Sequence, residues 1–136
     1  MHKTILVPID VEDSEKGKPM IKIARRIGDE DARIILVHVI ENVPKFVAAQ
    51  LPEGTLENAR EHAGKKLKAI ANAAGIKPDV EVRFGSAYKA ILDVAQEQEV
   101  DLIIVGSHKP GLQDYLLGST AARVVRHAMC SVLVGR

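Results

Sequence analysis

Aromatic side chains are almost missing: the 136 residues include two Phe, two Tyr and no Trp. Single-stranded nucleic acid is gripped by stacking its bases on such rings, so a platform of that kind is not expected. Charge of one sign is missing too. Nineteen Lys and Arg stand against eighteen Asp and Glu, a formal net charge of +1. No block of like charge offers the basic stripe that a nucleic-acid backbone needs, and nucleic acid is not expected as a partner. With Cys130 alone, no internal disulfide can form. No run approaches the ~20 apolar residues of a membrane span. The apolar run within Met1 to Pro8 is too short for a secretory signal. These absences leave a soluble cytoplasmic protein as the expectation. The length suits one domain, residues 1–136. A domain of this size buries roughly 70% of the surface its unfolded chain exposes.

What is present is an alternation of β-branched runs with helix-spaced segments. Thr4 to Ile9 reads as a strand buried on both faces and ends at Asp10. Met20, Ile23, Ala24 and Ile27 recur at i, i+3, i+4 and i+7, one apolar helix face closed by Gly28. Pro19 has no N–H, so this helix is expected to begin near Gly17 or to open irregularly. Arg33 to Ile40 reads as a second buried strand, and residues 41–54 carry no clear period. From Thr55, the positions Leu56, Ala59, Ala63, Leu67, Ile70 and Ala74 mark a long helix, stopped by Gly75 and Pro78. Val80 to Phe84 alternates as a half-exposed strand does. Gly85-Ser86 is placed to cap a helix whose inner face is Tyr88, Ile91, Leu92 and Ala95. A strand at Val100 to Val105, a helix at Ala121 to Ala128 and a last strand at Ser131 to Val134 complete five strands alternating with four helices.

Such alternation predicts a Rossmann-like α/β fold, a five-stranded parallel sheet with helices on both faces and right-handed crossovers. Ligands of these sheets bind beyond the C-terminal strand ends, where the strand order reverses. With the order 3-2-1-4-5, the reversal falls between the first and fourth strands, and Asp10 faces the segment from Gly106 to Thr120. That segment joins a buried strand to a helix. Glycine lets a backbone approach a ligand closely, and a helix start offers unpaired N–H groups to an anion, so the pattern suits a phosphate.

Ile5-Leu6-Val7-Pro8-Ile9-Asp10, Leu36-Val37-His38-Val39-Ile40, and Gly106-Ser107-His108 with Leu116-Leu117-Gly118-Ser119 ahead of Val125 to Val134 resemble the universal stress protein family over nearly the whole chain. The resemblance implies the α/β fold just described and a homodimer through the last strand, Val132 to Val134, or a tetramer built from it. It also implies a division into nucleotide binders and non-binders, the ligand being ATP or AMP with room for Mg²⁺. By position, Asp10 looks like the acid beside the ribose, and Pro8 and Val39 look like neighbours of the adenine. Gly106, Gly118, Ser119 and Thr120 resemble the phosphate cradle. Binders of the family carry Gly-x-x-Gly, a spacer of nine, then Gly-Ser or Gly-Thr. This chain departs from that pattern: Lys109 stands at the second glycine, Pro110 and Gly111 follow, and the interval to Gly118 is one residue short. Pro110 offers no N–H, Gly111 supplies flexibility from a displaced position, and Lys109 brings a point charge to phosphate oxygens. His108 reads as a phosphate neighbour or a solvated loop side chain.

Each of these residues also has a plainer reading. Asp often turns the chain after a strand, although one ionised carboxylate can accept from both ribose hydroxyls. Gly118-Ser119-Thr120 also reads as an N-cap, and Gly106 as a turn off a strand end. His38, inside an apolar strand, is expected to be a hydrogen-bonded core histidine. His127 suits a helix C-terminus, and Cys130 is expected to be buried and inert. No Cys or further His at ligand spacing accompanies His108, so a metal site is not expected.

Four functions stay open on the sequence. A nucleotide-responsive regulatory protein of the stress response, acting through conformation or assembly, fits the loop, Asp10 and the resemblance. An ATPase or phosphotransferase would need Lys and Ser or Thr where Leu112 and Gln113 stand, so any hydrolysis is expected to be slow. A phosphorylation receiver would use Asp10, Glu12 and Asp13, but also an Asp after the third strand and a Lys after the fifth. Phe84-Gly85-Ser86 and Val134-Gly135-Arg136 offer neither. A ligand-free interaction module would use the edge strand, with Phe46, Val47 and Leu51 as a further contact or lid.

Overall fold

The computed structural model describes residues 2–41, 45–107 and 117–136. Its strands are β1 (Thr4–Pro8), β2 (Arg33–Ile40), β3 (Val80–Phe84), β4 (Leu102–Gly106) and β5 (Ser131–Gly135). Its helices are α1 (Ser14–Ile27), α2 (Lys45–Gln50), α3 (Thr55–Ala73), α4 (Ala87–Glu97) and α5 (Ser119–His127). The strands form one parallel sheet, as the alternation predicts, and its order is the expected β3-β2-β1-β4-β5.

The two-residue period of the strands sorts their side chains onto two buried faces. Ile5, Val7, Leu36, Leu102 and Ile104 turn one way, against Met20, Ile21 and Ala24 of α1 and Ala63, Leu67 and Ala71 of α3. Leu6, Ile35, Val37, Ile103 and Val105 turn the other way, against Ile91, Val94 and Ala95 of α4 and Ala121 and Val124 of α5. The central strands carry apolar residues at consecutive positions because both faces are covered. Each fully buried aliphatic side chain contributes about 1.5–3 kcal/mol relative to exposure. Leu6, Leu36, Ile103 and Ile104 are among those with no exposed surface.

Several local expectations need correction. Helix α1 begins at Ser14 and runs through Pro19, rather than starting near Gly17. Both Glu15 and Pro19 are solvent-exposed, so water can take the bond that a proline cannot make with the carbonyl four residues earlier. The aperiodic stretch contains α2, and six residues are too few for a period to show. Phe46 on it is 70% exposed, so no large apolar face is buried there. Ser86 stands at the N-cap of α4 without a side-chain cap bond. The buried face of that helix is Ala90, Ile91, Val94 and Ala95, with Tyr88 and Leu92 half-buried. Helix α5 starts at Ser119, two residues earlier than the apolar spacing indicates.

Candidate functional site

Strand pairing creates the site. β1 keeps β2 as far as Pro8↔Val37, but pairs with β4 only at Ile5↔Leu102 and Leu6↔Ile103. Beyond Leu6 the two central strands part. The end of β1 stays with β2, where the Ile9 N–H donates to the Val37 carbonyl at 2.8 Å. The end of β4 leaves with β5, where the Ser107 N–H donates to the Gly135 carbonyl at 2.8 Å. A crevice therefore opens at the C-terminal strand ends, where the strand order reverses.

The larger part of the crevice encloses about 640 Å³ and is lined by Pro8, Asp10, Val39 and Thr120, together with Val37, Ile40, Ala59, His62, Ala63, Ala87 and Ile91. A smaller space of about 190 Å³ shares Pro8, Asp10 and Thr120 with it and is lined further by Gly106, Gly118, Ser119 and Ala121. Asp13 and Lys16, an ion pair at 3.0 Å, line the same smaller space. Pro8, Asp10, Val39, Gly106, Gly118, Ser119 and Thr120 are thus brought together. His108, Lys109 and Gly111 lie outside the described residues.

Asp10 serves its own turn and the cleft at once. Its Oδ1 accepts the Glu12 N–H at 2.9 Å, and its carbonyl accepts the Asp13 N–H at 3.0 Å. That satisfies the plainer reading of the residue, and the exposed carboxylate still lines both spaces. Gly17 brings α1 close behind this turn, since a Cβ there would run into the Ile9 side chain. Among the described residues, Gly106 has no neighbour within 4 Å of where a Cβ would stand.

The start of α5 is tied directly to the end of β4: the Gly118 N–H donates to the Ser107 carbonyl at 2.6 Å, and Ser107 is only 3% exposed. Gly118 is the N-cap residue, and among the described residues no side chain makes the cap bond, so the Ser/Thr cap is not formed there. A helix start without a side-chain cap keeps first-turn N–H groups and the positive end of its dipole available to an anion.

His38 is hydrogen-bonded, as expected, with Nδ1 3.0 Å from the Ile9 carbonyl oxygen, but it is half-buried and lines the larger space. His127 is exposed in the last turn of α5. Cys130 is half-buried rather than buried, and burial pushes its thiol pKa up, with Asp101 adding to the shift. No local pattern pointed to His62 or to the part played by α4. These residues reach the crevice only through the way α3 and α4 pack on the sheet.

The model of the universal stress protein family matches residues 1–136. The chain belongs to the universal stress protein family. Universal stress protein G of Salmonella typhimurium is 31% identical over 142 residues, covering 100% of both chains. Among solved structures, that of hypothetical protein MJ0577 superimposes with a TM-score of 0.79 at 29% identity, over 98% of this chain and 95% of that one. A universal stress protein in complex with cAMP superimposes with a TM-score of 0.61 at 26% identity, over 99% of this chain and 97% of that one. The shared α/β architecture puts the crevice of this family member at the strand-order reversal. Among the described residues, no helix is long and apolar enough to cross a membrane.

Proposed function

We propose that this universal stress protein is a regulatory nucleotide-binding protein that takes ATP or AMP in the crevice between β1 and β4. The observation that carries the reading is that the Asp10 carboxylate and the start of α5, without a side-chain cap, line one space at the switch point. The base would lie against Pro8 and Val39, and Asp10 would accept from the ribose hydroxyls. Phosphates would meet Gly106 and the backbone of Gly118, Ser119 and Thr120. A volume of about 640 Å³ falls within the range of small-molecule sites. Support also comes from the family member in complex with cAMP, itself an adenine nucleotide. Where Mg²⁺ accompanies ATP, the phosphates would be its main ligands. Among the described residues, no three His, Cys, Asp or Glu are grouped to hold a metal ion. Calorimetric titration with ATP and with AMP tests the reading. Heat of binding with a raised melting temperature is expected, and the absence of both at millimolar nucleotide overturns it.

The output is proposed to be a change of conformation or assembly in the cytoplasm, in a homodimer formed through β5. Val132, Leu133 and Val134 are half-buried, carry no charge and lie on an edge strand of the sheet. Met129, just before this strand, is fully exposed. Sizing chromatography with and without ATP is expected to give a dimer. A dimer whose stability ignored nucleotide would favour the ligand-free interaction module, and a monomer would overturn the pairing.

A further inference from the structure

His38 lies in β2, opposite Val82 of β3, and its ring reaches across to the turn after β1. Nδ1 is 3.0 Å from the Ile9 carbonyl oxygen and 3.4 Å from the Val11 nitrogen. Ile9 and Val11 flank Asp10, so one nitrogen meets the chain on both sides of the carboxylate. The two contacts need opposite roles of Nδ1, since the Val11 N–H donates and the Ile9 carbonyl accepts; the shorter one assigns the proton to Nδ1, with the ring donating to the Ile9 carbonyl. Ile9 is 3% exposed and stands past the last β1–β2 register pair, Pro8↔Val37. A buried carbonyl beyond the ladder needs a donor, and the imidazole supplies it.

We propose that His38 is a positioning residue for Asp10. By fixing the Ile9 carbonyl it sets the turn in which Asp10 Oδ1 holds the Glu12 N–H, and so aims the rest of the carboxylate into the cleft. Its influence on affinity rests on the nucleotide reading of that cleft; its influence on the turn does not. A histidine that merely fills space would be insensitive to where a replacement places its nitrogen.

Two substitutions in the full chain separate these roles. His38→Asn puts an amide nitrogen as many bonds from Cα as Nδ1, whereas His38→Gln puts it one bond further out. AMP affinity, read by calorimetry, is expected to stay within about twofold of the parent for His38→Asn and to fall about five- to tenfold for His38→Gln. The loss with His38→Gln is expected to vanish in an Asp10→Ala background, since the histidine acts through that carboxylate. Equal losses for both variants, or a loss undiminished by Asp10→Ala, overturn the proposal. Hydrogen exchange of the Glu12 amide reads the same turn without nucleotide. It is expected to quicken about tenfold in His38→Gln and to hold in His38→Asn. Unchanged exchange in His38→Gln overturns the proposal. If the parent binds no nucleotide while Glu12 responds as expected, the nucleotide reading falls and the positioning role stands.

Discussion

At the N-terminal ends of the strands, a cleft of about 570 Å³ is lined by Arg25, Arg33, Lys77, Asp29 and Asp79 among others. At the C-terminal ends, the crevice of about 640 Å³ is lined by Pro8, Asp10, Val39 and Thr120. The first is the more heavily charged, and two of its arginines are held by partners within the protein. Arg33 grips both carboxylate oxygens of Asp79 and donates to Gln98 Oε1 at 2.9 Å, and Arg25 donates to the Ala74 carbonyl at 2.8 Å. The bond to Asp79 holds the Arg33 guanidinium even more firmly protonated than usual. In the second, Asp10 uses one oxygen for its own turn and α5 starts without a side-chain cap. Chain direction explains the contrast. In a parallel sheet each strand's C-terminal end leads toward the next helix's N-terminus, so unpaired N–H groups gather at that end. Helix C-termini and their basic last turns gather at the other, as Arg25 and Arg26 of α1 do.

The largest way to break this contrast is Gly118→Val. The backbone there, with φ of −62°, suits any residue, so the fold should persist. Side-chain bulk at the helix start is expected to take ATP and AMP binding below detection by calorimetry while the melting temperature changes little. Asp10→Asn is the next step down. It keeps an acceptor for the Glu12 N–H but removes the charge, and is expected to weaken binding by about 1–3 kcal/mol. Asp79→Asn, at the opposite end, should leave nucleotide affinity unchanged. With the Asp79 and Arg33 side chains 29% and 46% exposed, the lost pair should lower stability by only about 0.2–1 kcal/mol in a urea titration. Smallest is Lys109→Gly, which restores the family's second glycine and is expected to hold or tighten affinity; a collapse would make Lys109 a phosphate ligand in its own right.

The two-faced parallel sheet could be read from the chain because Ile5 to Val7, Ile34 to Val37 and Leu102 to Val105 are apolar at consecutive positions, and only a sheet covered on both faces asks for that. Asp10 and Gly118 to Thr120 were legible for a related reason: a residue just past a strand or at a helix start has its place fixed by the topology. What depends on packing between distant elements was not legible. His62 and Ala87 enter the crevice through the seating of α3 and α4. The His38 bond to Ile9 depends on the β1–β2 register, which no local pattern reveals. Ser119 looks like a cap by residue type, but Gly118 takes the cap position once its N–H is tied to Ser107. Pro19 argues locally against a helix that the packing of Met20, Ile21 and Ala24 nevertheless holds.

The central claim is that an adenine nucleotide occupies the C-terminal crevice and ignores the N-terminal cleft. Backbone amide shifts in a nucleotide titration followed by nuclear magnetic resonance test it most directly. Progressive shifts are expected at Asp10, Val39, Gly118 and Thr120, with Arg33, Ile76 and Asp79 unmoved. No shift at millimolar AMP or ATP, or shifts centred on Arg33 and Asp79, would contradict it.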